Sequence, residues 1–104
     1  MDDIIRELEK ILEQRKNKVS ADSYVSSLYE KGHKHICDKI MEETQELIEA
    51  TKVNDEQVIH ETADLFFHVL VLLASHDIKY ATILDELRRR FGTSGIEEKN
   101  NRNK

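Results

Sequence analysis

The chain has no proline, no tryptophan, three glycines and a single cysteine in 104 residues. Without proline, no position loses its backbone donor or clashes with the preceding turn, so long helices are unobstructed. With few glycines there is no Gly-rich phosphate loop of the Walker type. The lone Cys37 cannot form an internal disulfide, which points to a reduced, intracellular setting. A basic surplus is also missing. The net charge of -5 argues against a nucleic-acid partner, although a bound metal can still present a nucleotide to an acidic surface. No apolar segment follows a basic start, so no signal peptide is expected. The apolar run from Leu65 to Ala74, nearly continuous but for His68, is well short of the roughly 20 residues of a membrane span. The expectation is one small, soluble, cytoplasmic domain with no membrane partner. Hydrophobic residues make up 38% and charged residues 36%, so so short a chain buries a limited core alone. Oligomerisation is the usual remedy.

What is present is helical periodicity. Ile4, Ile5, Leu8, Ile11 and Leu12 form one stripe of a helix capped by Asp2 or Asp3 and running to about Arg15. Asn17 to Ala21 is a polar break. Ser20 or Asp22 can start a short second helix with Tyr24, Leu28 and Tyr29, which Gly32 stops. A third helix runs from about His33 to Val53, and Asn54-Asp55 turns and caps a fourth from about Glu56 to Ser75. A fifth covers about Tyr80 to Phe91, with Ile83, Leu84, Leu87 and Phe91 inward and Gly92 as its stop. Residues 93–104 form a polar tail expected to be disordered. The reading is an all-α antiparallel bundle of about five helices in a domain spanning 1–92. The fourth helix is apolar on nearly every side from Leu65 to Leu73, which demands burial all round. A homodimer with a shared core meets that demand.

Two carboxylate clusters stand out, Glu42-Glu43-Thr44-Gln45-Glu46 and Glu61-Thr62-Ala63-Asp64, with His68 one turn beyond the second. Ile36, Ile40 and Leu47 mark the apolar centre of the third helix, and Glu43 falls roughly 40° from it. Glu46 and Lys39 come next, and Glu42 lies further out. On the fourth helix Glu61, Asp64 and His68 fall within about 60° of one another. Antiparallel packing lets Glu43 or Glu46 face Glu61 or Asp64. Acids beside an apolar stripe are costly unless compensated, and a hard divalent cation such as magnesium takes this many oxygens. Manganese is the natural substitute. Glu7, Glu9, Glu13, Glu49, Asp85 and Glu86 fit ordinary solvated surface instead. Lys39 and Lys34 can neutralise one or two of the site acids but not four.

His68 fits a supporting hydrogen-bond role better than ligation, because magnesium prefers oxygen. His33, His35, His60 and His76 read as surface residues. Cys37 has no evident base beside it and reads as a small core residue. Lys39 is the first candidate for a phosphate contact, followed by Arg15, Lys31 and Lys34. Arg88, Arg89 and Arg90 close a helix, where favourable interaction with its dipole alone accounts for them.

The acid pattern resembles the EExxE…ExxD signature of the all-alpha nucleoside triphosphate pyrophosphohydrolases. Ser23-Tyr24, Leu28, Lys31-Gly32, Lys39-Ile40, Ala63-Asp64-Leu65 with His68, Val71-Leu72-Leu73 and the closing Leu87-Arg88-Arg89-Arg90-Phe91-Gly92 resemble the phosphoribosyl-ATP pyrophosphohydrolase family of histidine biosynthesis. The likeness covers residues 4–92. It departs where the family often has proline before the Ser-Tyr pair, threonine at Val25 and lysine at His35. These departures bear on substrate contacts of the second helix and leave the acids intact. The resemblance implies a dimer that hydrolyses phosphoribosyl-ATP between its alpha and beta phosphates. It places metal on Glu43, Glu46, Glu61 and Asp64, and gives Glu42 a second metal or the orientation of water. Glu42 or Glu46 would take the water's proton. Tyr24, with Lys39, Arg15, Lys34 and Arg88, would contact substrate. The alternatives are a house-cleaning pyrophosphohydrolase for other nucleoside triphosphates and a non-enzymatic helical interaction module.

Overall fold

The computed structural model describes residues 3–18 and 23–92. The described residues form five helices and no strand: α1 (Ile4–Asn17), α2 (Tyr24–Lys31), α3 (His33–Ala50), α4 (Asp55–Ser75) and α5 (Tyr80–Phe91). The all-α expectation holds, and most boundaries lie within three residues of the sequence reading. Ser20, Asp22 and the polar tail 93–104 lie outside the described residues.

Local chemistry sets the boundaries. The Ser23 hydroxyl accepts from the Ser26 N–H at 3.2 Å and caps α2. Gly32 separates α2 from α3 at φ 93°, a conformation other residues rarely adopt. Its N–H donates to Leu28 and its carbonyl accepts from Ile36, so one residue closes a helix and opens the next. Asn54 Oδ1 accepts from the Gln57 N–H at 2.8 Å and caps α4. The third helix ends at Ala50 and not at Val53, because Thr51, Lys52 and Val53 donate three residues back and tighten the chain into a turn.

The pair α3–α4 is antiparallel and makes the most extensive helix contact, while α2 lies on α3 and α1 packs on α2 and α4. Leu12, Val25, Leu28, Ile36, Leu70 and Val71 form the buried core, with Ile5, Leu8, Ile40 and Phe67 against it. Tyr29 donates its hydroxyl to the Leu12 carbonyl at 3.0 Å. Burial, then the charge of Glu13, pushes that phenol up to about 12 and keeps it a donor.

Two features depart from the sequence reading. No residue of α5 is buried: Ile83 is 37%, Leu87 48% and Phe91 67% exposed, although all were expected to face inward. Only Leu84 of that stripe is partly covered. The start of α5 is tethered by polar contacts, with Glu9 Oε2 accepting from the Tyr80 N–H at 2.7 Å. Lys16 donates to the Ala74 carbonyl at 3.0 Å and pairs with Asp77. Glu9, read as plain surface, is therefore half-buried and engaged. The second departure is α4. Counted through its carboxylates it is 21 residues long, and an 18-residue stretch has a mean hydropathy of 1.5 with 17% buried within the chain. Length and composition alone would let it cross a membrane. Glu61 and Asp64 oppose that, since an acid in hydrocarbon costs roughly 2.5–3.5 kcal/mol.

Candidate metal and phosphate site

The α3–α4 interface brings three carboxylates together. An oxygen of Glu43, one of Glu46 and one of Glu61 all lie within 4.8 Å of one another. Glu43 is 6% exposed, beside the core as its angular position on the helix requires. Its Oε2 and that of Glu61 are shielded from solvent and have no hydrogen-bond partner. Burial first, then the neighbouring Glu46, pushes the Glu43 carboxyl up to about 6. Burial and Glu46 raise Glu61 as well.

Lys39 compensates part of this charge. Its Nζ is 3.5 Å from Glu42 Oε2 and 3.8 Å from Glu43 Oε1. Burial disfavours the ammonium, but Tyr24, Glu42 and Glu43 together outweigh it and hold the proton more tightly than usual. One ammonium against this many acids leaves a deficit of positive charge. The two orphaned oxygens point to the same deficit. Oxygen-only donors on two rigid helices fit a hard divalent cation.

Asp64 takes a different place. It is half-exposed, with Oδ2 3.4 Å from His60 Nε2. His60, Glu61 and Asp64 form a second group whose ligand atoms lie within 4.8 Å, so Glu61 is common to both. His60 read as plain surface in the sequence. Its i,i+4 spacing to Asp64 was the available signal.

His68 is buried, and both ring nitrogens are engaged. Nδ1 lies 2.8 Å from the Asp64 carbonyl oxygen, which can only accept, so Nδ1 carries the proton. Nε2 then accepts from the Tyr24 hydroxyl at 2.9 Å. This is a supporting position, not a ligating one. Tyr24 thus spends its proton on His68, while its ring stacks on Phe67 at 6.3 Å and stays 52% exposed.

Two of the remaining basic candidates are paired elsewhere. Lys34 pairs with Asp38 at 2.9 Å and Arg88 with Asp85 at 2.8 Å, both on the surface. Arg15 is half-buried on α1. Arg89 and Arg90 both grip Glu86, and these hydrogen bonds hold its carboxyl down at about 2. Among the described residues, none of these pairs involves the acid cluster. Cys37 corrects the sequence reading: it is half-buried outside the core cluster, and the His33 imidazole sits 3.7 Å from its sulfur.

Residues 5–91 match the family model described as phosphoribosyl-ATP pyrophosphohydrolase. A phosphoribosyl-ATP pyrophosphatase of Vesicomyosocius okutanii is 55% identical over 104 residues, covering 99% of both chains. Its namesake in Geobacter metallireducens is 47% identical over 104 residues, 99% of this chain and 95% of the relative. That of Hydrogenovibrio crunogenus is 45% identical over 107 residues, 98% and 95% respectively.

Proposed function

Since the chain belongs to the phosphoribosyl-ATP pyrophosphohydrolase family, we propose that it hydrolyses phosphoribosyl-ATP to phosphoribosyl-AMP and pyrophosphate in histidine biosynthesis. The observation that carries this reading is the carboxylate triad at the α3–α4 interface, with the buried Glu43 at its centre and two shielded, unpartnered oxygens. A triphosphate and an acid pocket repel, so the pocket makes sense for this substrate only if it holds cations. Glu43, Glu46 and Glu61 would hold magnesium or manganese, with Asp64 at the flank. The bound ion supplies charge neutralisation and polarisation of a phosphoryl oxygen. The chain's own residues do the rest. Lys39, at the rim between Glu42 and Glu43, meets a phosphate oxygen. Glu42, exposed and on the same face, takes a proton from the attacking water. His68 and Tyr24 fix the start of α2 against α4 and give the pocket a rigid wall. Placement of this kind is most of what phosphoryl transfer asks of a protein.

We propose a homodimer as the working form. The chain leaves Ile59, Phe66 and Val69 of α4 and Ile83, Leu87 and Phe91 of α5 exposed. A second copy supplies the cover that one chain lacks.

The test is a product assay on phosphoribosyl-ATP and on a panel of nucleoside triphosphates, with and without magnesium. Magnesium-dependent release of pyrophosphate from phosphoribosyl-ATP, well above that from ATP, is the expected result. Comparable turnover of both would shift the assignment to a house-cleaning pyrophosphohydrolase, and no turnover of any would leave a helical interaction module.

A further inference from the structure

We propose that His33, Cys37 and His76 form a binding site for a borderline transition-metal ion, zinc in particular, apart from the carboxylate cluster. His33 opens α3 and Cys37 follows one turn later, so both side chains leave the same face. His76 is the C-cap of α4, which antiparallel packing brings beside the start of α3. The Cys37 sulfur lies 3.7 Å from His33 Nε2 and 4.0 Å from Nδ1. Zinc holds sulfur at about 2.3 Å and imidazole nitrogen at about 2.0–2.1 Å, which in tetrahedral geometry sets the two ligand atoms about 3.6 Å apart. The separation matches ligand spacing, but the sulfur stands almost equally far from both nitrogens, so the His33 ring must also turn to aim one lone pair at a shared ion. The His33 and His76 rings stand 5.3 Å apart between centroids and nearly perpendicular, at 82°. Two imidazoles on one tetrahedral ion have centroids about 5 Å apart. As they stand, the ligand atoms of His33, Cys37 and His76 do not all lie within 4.8 Å of one another; His76, exposed at a helix end, would have to turn its ring toward the pair to complete the site. Three protein ligands with water in the fourth position is a common zinc arrangement.

The two sites sort ions by chemistry. Oxygen donors around Glu43 select a hard cation, whereas sulfur and imidazole select zinc and its neighbours. Ten residues of helix separate His33 from Glu43, about 15 Å along the axis. Binding replaces the thiol proton: the Cys37 S–H bond breaks, the thiolate pair forms the bond to the ion, and the proton goes to solvent. The bound ion would pin the first turn of α3 to the last turn of α4, next to the Asp77 turn that carries α5. The inference does not depend on the proposed hydrolysis.

Cobalt titrated into the full chain, with magnesium in excess to occupy the carboxylates, provides the test. A near-ultraviolet thiolate-to-cobalt band should appear and be displaced by zinc. Cys37→Ser should abolish it, and Glu43→Gln should leave it unchanged. His33→Gln and His76→Ala, both surface changes, should each weaken cobalt binding at least about tenfold, as loss of a ligand requires. Absence of the band in the unaltered protein overturns the proposal. So does a band that survives removal of both histidines, since that would mark an unassisted thiolate.

Discussion

Glu43 is held between two demands. Its position on α3 buries it beside Ile36 and Ile40, while its neighbours are other acids. Its folded pKa, at about 6, stands above its ordinary value of 4.5. The folded state therefore binds the proton more tightly than the unfolded chain. In the metal-free protein this group contributes stability below about pH 4.5, and that contribution is lost as pH rises through about 6. Melting of metal-free protein should fall across that window by an amount on the order of 1 kcal/mol, a few degrees. The step should shrink in Glu43→Gln, leaving the part that the raised Glu61 contributes, and shrink when magnesium is added. Glu86 does not mask it, because its pairing with Arg89 and Arg90 fails only as pH falls below its ordinary value toward about 2. In turnover, Glu43→Gln and Glu61→Gln should each cost roughly 100-fold or more, given the several kcal/mol a ligated cation supplies. Full activity in both would remove the metal assignment. Tyr24→Phe should destabilise the fold by about 1 kcal/mol, since it leaves His68 Nε2 without its donor. An unchanged melting temperature with a raised KM would instead make the hydroxyl a substrate contact.

Among the elements, α2 and α3 turn on one backbone conformation. Gly32 sits at φ 93° with open space where a Cβ would be, so an added methyl meets no neighbour. Gly32→Ala should still cost about 1–2 kcal/mol through the backbone alone. Chemical denaturation of the variant measures it, and a neutral result would show that the junction relaxes freely. The junction matters because it aims Tyr24 at α4 and aligns Lys39 and Glu43 with Glu61. The fifth helix shows the converse case. Its apolar stripe has helical period, yet within the chain its start is tethered by Glu9 at Tyr80 and by Lys16 at Ala74 and Asp77.

At the scale of the molecule, the exposed faces of α4 and α5 decide the assembly. Sedimentation should show a homodimer at micromolar concentration. Val69→Glu, placed on the exposed face of α4, should shift it toward monomer and lower its melting temperature together. A stable folded monomer of the unaltered chain under the same conditions would contradict the shared core.

Period, caps and composition were enough to determine five helices, their order and most of their ends. Those are local properties, decided within a turn or two by side-chain spacing and backbone donors. The placement of Glu43 beside the core was legible for the same reason, since it follows from its angle to Ile36 and Ile40. Three features needed the tertiary structure. His68 takes its donor from Tyr24, which is 44 residues away. Cys37 has the His33 imidazole beside it, and the His33 ring in turn meets His76 from the far end of α4. The stripe of α5 expected to face inward stays mostly exposed. Periodicity tells which face of a helix is apolar, but only the packing of helices tells what that face meets.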